Sequence, residues 1–209
     1  MNRIATVALG GLITLGVSTL SASPLFTQCP PTGDNTGCQF LITIGAGGAV
    51  TVAADPTAPN NAPYDGSDDT LVGIQNNSNL AISSLPLSST LAIFGFEGDG
   101  PCAAAPAPAS CPSSAGFDPT GYGGPGVTYS GINGAQTSGI VNFAGGLQPG
   151  QSAWFGLEES LQVSDIVSGP PSTTPPGGGT PGVPEPATIA LMGSGIAALV
   201  LGTRRRSLR

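Results

Sequence analysis

The sequence predicts an all-β protein: an antiparallel β-sandwich-like ectodomain between an N-terminal signal helix and a C-terminal transmembrane helix. Three observations carry that prediction. Runs rich in β-branched residues recur at short intervals from Cys38 onward, with no helical periodicity between them. Glycine (33) and proline (21) among 209 residues approach the level of a disordered chain, but they concentrate in residues 97–126 and 168–182, which argues against disorder throughout. Two apolar segments stand at opposite ends of the chain, each with arginine on its outer flank, which places the middle outside the cytoplasm.

Residues 1–23 read as a signal peptide. Arg3 forms the charged start, Ile4 to Val17 the apolar stretch, and Ser18 to Ser23 a run of mostly small residues suited to cleavage. Such a leader implies the Sec export machinery. The β-rich extracytoplasmic domain then occupies 24–167.

That domain carries no internal positive charge. All five arginines lie at 3, 204, 205, 206 and 209, there is no Lys or His, and eleven of the twelve acids fall between Ala22 and Val183. A surface with only negative charge repels phosphate backbones, which excludes nucleic acid as a partner. Without His or Lys, the usual general base and Schiff-base chemistry are missing as well.

Cys29/Cys38 and Cys102/Cys111 form two pairs, each nine residues apart. In an exported chain an even count reads as disulfides, and local pairing closes two short loops rich in turn-forming residues. Zinc is the alternative, but the cysteines are not closely spaced and no His accompanies them.

Strands are expected at Phe40–Ile44 and Ala49–Val52, separated by Gly45-Ala46-Gly47-Gly48 in a hairpin-like spacing. Further strands are expected at Thr70–Gln75, Asn79–Ser83 and Thr90–Phe96. Residues 97–126 read as an irregular, disulfide-bearing insertion, dense in Gly and Pro, of the kind that serves a function or covers an open sheet edge. Strands resume at Val127–Tyr129, Ser138–Phe143 and Gln151–Glu158. Trp154 and Phe155 should then face opposite ways, and Glu158-Glu159 read as a solvated strand end. Residues 168–182 have linker composition.

The last segment, 183–209, is ordered as a short motif (Val183, Pro184, Glu185, Pro186), an apolar stretch (187–203) and a basic end (204–209: Arg204, Arg205, Arg206, Arg209). The prolines hold Glu185 in extended chain. The 17-residue stretch is at the lower limit for a membrane span, and the arginines form a cytoplasmic stop. This tail resembles the PEP-CTERM sorting signal. The resemblance implies export through the inner membrane of Gram-negative-type bacteria, an inner-membrane-anchored precursor, and processing by an exosortase-type enzyme before the protein reaches the cell surface or the medium. Residues 64–78, Phe94-Gly95-Phe96 with Asp99-Gly100, Gly121–Gly124 and Leu147–Glu159 also look like an ectodomain found attached to such tails, which brings no activity with it.

In the ectodomain, calcium is the one cofactor that the residues suit. Asp65, Asp68 and Asp69 place three carboxylates on one glycine-bearing loop, and Glu97 and Asp99 flank another glycine. The spacing does not make an EF-hand loop, and turn capping is the competing role for these aspartates. No catalytic motif emerges, so an enzyme is not expected. The expected function is an exported surface or extracellular-matrix protein, structural or adhesive, associated with extracellular polysaccharide. The alternative is a glycan- or ligand-binding secreted module that uses Tyr64, Tyr122, Tyr129 and Trp154 as stacking platforms.

Overall fold

The computed structural model describes residues 23–111 and 118–174. The leader up to residue 22, the end of the expected linker (175–182) and the motif, apolar stretch and basic end at 183–209 lie outside the described residues. Among the described residues no helix is long and apolar enough to cross a membrane.

The domain is all-β, with nine strands in two sheets among the described residues. The first sheet has the order β2-β1-β3-β7. Strands β1 (Phe40–Ile44) and β2 (Val50–Ala54) form the expected hairpin, in which Gly47 and Gly48 take φ of 68° and 80°, a conformation that costs glycine little. Strand β3 (Thr70–Asn76) lies on the other side of β1 and runs parallel to it, Phe40 opposite Val72. This departs from the expected antiparallel arrangement. The chain leaves β1 for β2 and returns through residues 55–69, so β2 and that loop together supply the crossover that parallel neighbours require. Strand β7 (Ser152–Leu157) closes the sheet antiparallel to β3.

The second sheet has the order β5-β6-β4-β8, built from β4 (Ala81–Ser88), β5 (Val127–Ser130), β6 (Ser138–Leu147) and β8 (Val167–Ser168). A ninth strand, β9 (Ser172–Thr174), pairs with the first half of β4 while β8 pairs with its end. Between β8 and β9 stand Pro170 and Pro171, which have no N–H to give to a ladder. The start of the segment read as linker therefore belongs to the folded domain.

A second departure concerns Thr90–Phe96, expected as a strand. This stretch is irregular, yet Ile93 and Phe94 are buried. Its backbone bonds go to a turn (Gly95 N–H to Ala92 O, 2.7 Å) and to two distant segments: Phe94 N–H donates to Gln136 O, and Glu158 N–H donates to Ile93 O. The apolar run plugs one end of the core instead of joining a ladder.

The two sheets share one core. Ile42, Ile44, Val72, Ile74 and Phe155 of the first sheet meet Ile82, Leu85, Leu87, Val141 and Phe143 of the second. The opposite face of the first sheet is covered too, because Leu71 and Trp154 pack there with Phe26, Tyr64 and the Cys29–Cys38 disulfide. Phe155 and Trp154 thus face opposite ways, as strand alternation requires, and the cluster that holds Trp154 packs against Ala104 and Cys111 of the insertion. Both local disulfides are formed, Cys29–Cys38 and Cys102–Cys111, with Cα atoms 5.0 and 5.4 Å apart.

Candidate functional site

On its outer face the first sheet ends in two acids. Asp69 and Glu158 flank Thr70 and Leu157, the last pair in register between β3 and β7. Alternation along β7 puts Glu158 on the same face as Trp154, with Gly156 between them. Both acids are buried, at 1 % and 7 % exposure, so Glu158 is not the solvated strand end that its sequence suggested.

The insertion lies across this face and covers the free edge of β7. Gly123 bridges to Phe155, Gly124 N–H donates to Trp154 O at 3.1 Å, and Gly156 N–H donates to Tyr122 O at 2.7 Å. Gly156 is what admits it: a Cβ there would meet Pro101 at 2.8 Å and the Tyr122 ring at 3.0 Å. The docking delivers Tyr122 and Asp99 to the acids.

Two buried tyrosines donate to the cluster. Tyr64 Oη donates to Asp69 Oδ2 at 2.6 Å. Tyr122 Oη reaches Asp69 Oδ2 at 3.2 Å, Asp99 Oδ1 at 2.7 Å and, closer still, Glu158 Oε1. Glu158 Oε1 also accepts the Glu97 backbone N–H at 2.9 Å. Burial and the surrounding carboxylates raise both phenols far above their usual range, so they remain protonated donors. The Asp69 carboxyl is pushed up to about 8, chiefly by burial and then by Glu158 and Asp65, with the Tyr64 hydrogen bond working against the rise. Between Ala22 and Val183 no Lys, Arg or His exists to neutralise these charges.

Asp65 belongs to the turn before β3. Its Oδ1 accepts the backbone N–H groups of Ser67, Asp68 and Asp69 at 3.0–3.2 Å, while Gly66 takes φ of 80°. Asp65, Asp69 and Asp99 can each place one oxygen within 4.8 Å of the others. Of the three aspartates singled out in the sequence, the structure gathers Asp65 and Asp69 and leaves Asp68 exposed and outside that group. Asp99, from 30 residues further along, takes its place.

Beside the cluster lies a cleft of about 340 Å³, lined by Gly33, Asp34, Tyr64, Asp65, Asp99 and Ala103–Ala105. The four rings considered as stacking platforms do not line up on a surface. Tyr64, Tyr122 and Trp154 are buried and Tyr129 is half-buried, donating its hydroxyl to Gly156 O.

Residues 182–206 match the family model of the PEP-CTERM protein-sorting motif, so the chain carries that motif where Pro184-Glu185-Pro186 and the residues after it suggested. No curated protein and no solved structure matches this chain.

Proposed function

We propose that this chain is a structural or adhesive component of the bacterial surface or extracellular matrix, associated with exopolysaccharide and without enzymatic activity of its own. The observation that carries the first half of this reading is the sorting motif at 182–206, which indicates an exported, membrane-anchored precursor and exosortase-type processing. In the order of events we infer, Sec export presents the acidic domain outside the inner membrane, the apolar stretch retains it, and the exosortase acts beside Glu185. Support for a structural role comes from the domain's economy of exposed recognition surface. Among the described residues its large aromatic rings go mostly to the core and to the acidic cluster, and two disulfides hold its most irregular segments.

The alternative, a calcium-dependent ligand-binding module, draws its support from the cleft beside Asp65 and Asp99. The test of the principal reading is fractionation with intact-mass analysis of the full chain in a host that has the exosortase and in one that lacks it. Replacing Pro184, Glu185 and Pro186 by alanine should leave export intact and block tail removal, so that the precursor stays in the inner membrane. Processing of that variant at the wild-type rate overturns the sorting mechanism. Normal assembly of surface polysaccharide in a deletion strain overturns the structural role.

A further inference from the structure

We infer that Asp65, Asp69 and Asp99 bind a divalent cation of the hard, oxygen-seeking class, calcium in particular, and that the ion fastens the insertion to the loop leading into β3. The inference draws on the proposed function only for the supply of calcium outside the cell. The site is tested on purified protein, so its failure leaves the sorting mechanism standing.

Three acids close together are not in themselves a site, because aspartates in loops cap turns. What distinguishes this group is how each carboxylate divides its two oxygens. Asp65 commits Oδ1 to three backbone N–H groups, and among the described residues no hydrogen bond reaches its Oδ2. Asp99 commits Oδ1 to Tyr122, again leaving Oδ2. Asp69 commits Oδ2 to both tyrosines, and its Oδ1 is buried with no hydrogen-bond partner at all. An orphaned oxygen on a side chain 1 % exposed is costly unless a proton or a cation pairs with it. No cationic side chain exists in the domain to do so. The protein's own donors thus hold each carboxylate by one oxygen and leave the other without a donor.

Ligand chemistry selects the ion. Three carboxylate oxygens with no His and no free thiol suit a hard cation and not zinc or copper. Calcium accepts six to eight oxygens in loose geometry, whereas magnesium demands a near-ideal octahedron and holds its water tightly. Here the ligands come from two separate loops, and Asp65 and Asp99 open onto the cleft, where water completes the shell. Glu158 stays one hydrogen bond away, joined through Tyr122 to Asp99. It adds negative charge to the site without being a ligand.

The test is a calcium titration of the full chain in mild detergent and 0.15 M NaCl, after treatment with chelator, followed by calorimetry and by melting. One calcium per chain is expected, with a dissociation constant of about 10⁻⁴–10⁻³ M, the range of extracellular modules. At 10 mM calcium the melting temperature should rise by about 3–10 °C, and magnesium should do much less. Asp99→Asn, which alters an exposed side chain, and Asp69→Asn should each weaken calcium binding at least about tenfold. Asp68→Asn should change it less than about threefold, since that residue contributes only to the surrounding field. Equal shifts from calcium and from sodium at matched ionic strength overturn the site, as does equal weakening by Asp68→Asn and Asp99→Asn, because either result describes an ionic atmosphere.

Discussion

A Cβ on Gly73 would sit 2.4 Å from the Sγ of Cys38, inside any tolerable contact. The centre of β3 is therefore shaped to the Cys29–Cys38 disulfide, which lies flat on the outer face of the first sheet beside Leu71 and Trp154. Gly73→Ala should cost about 2–3 kcal/mol by overpacking. The sulfur is much the closest contact, with Gln28 Cβ at 3.2 Å and Leu41 Cδ1 at 3.3 Å behind it, so a double-mutant cycle separates its share. In a Cys29→Ala/Cys38→Ala background, itself about 2–4 kcal/mol less stable, the added cost of Gly73→Ala should fall below about 1 kcal/mol. Urea denaturation of the four variants measures both numbers, and an unchanged cost in the cysteine-free pair would refute the contact.

Tyr122 makes a different kind of bond. Its single hydroxyl, with one proton to give, stands among Asp69, Asp99 and Glu158, so removing it leaves Asp69 Oδ2 to Tyr64 alone and Glu158 Oε1 to the Glu97 N–H alone. Tyr122→Phe should destabilise the domain by about 2–3 kcal/mol in chelator, as expected for loss of a charge-assisted buried bond. Tyr129→Phe, which loses one bond to the Gly156 carbonyl, should cost about 1 kcal/mol. Similar losses for the two variants would show that Tyr122 is not the shared donor.

The pH response offers a separate check at Asp55, which is not one of the clustered acids. Burial alone would push this carboxyl up, but bonds from Thr57 (hydroxyl and backbone), Asn60 and the Leu25 backbone outweigh it and hold the pKa below 3.8. A folded-state pKa below the unfolded value means that the stabilisation is fully present above about pH 4 and is lost as pH falls through the folded value. Asp55→Asn should be about 2–3 kcal/mol less stable at pH 6, and the gap to wild type should narrow as the pH falls below the unfolded carboxyl range. A gap that stays constant from pH 6 to pH 2 would mean that the charge is not what binds the N-terminal segment to this loop.

Much of the fold could be read from the residues because its determinants are local. Alternation assigned Trp154 and Phe155 to opposite faces, glycines marked the β1–β2 turn, and nine-residue spacing paired the cysteines. What stayed hidden was long-range. The parallel pairing of β1 with β3 is decided by where β2 and the 55–69 loop lie, which no single segment records. Thr90–Phe96 has strand composition, but its hydrogen-bond partners are Gln136 and Glu158, and burial without a ladder leaves the same apolar pattern. The candidate site was half legible. Asp65 and Asp69 announce themselves as neighbours, and so does Asp68, which the fold then leaves aside. Asp99 and Tyr122 become partners only when Gly156 lets the insertion settle on β7.

The placement of β9 has a mechanical consequence. Tension applied to the chain beyond residue 174 enters the domain through Ser172–Thr174, a strand held to Ala81–Ser84 of β4 by non-covalent pairing alone. The next points of attachment are the two residues of β8, after the proline pair. Neither disulfide lies on that route, since both close loops in the first 111 residues. A pull on the tail therefore peels β9 and then β8 from β4 before it strains β1–β7, paying out about 25 Å of chain at roughly 3.3 Å per residue. The C-terminal strands act as a short sacrificial tether, and the acidic cluster at the far sheet is shielded from the load.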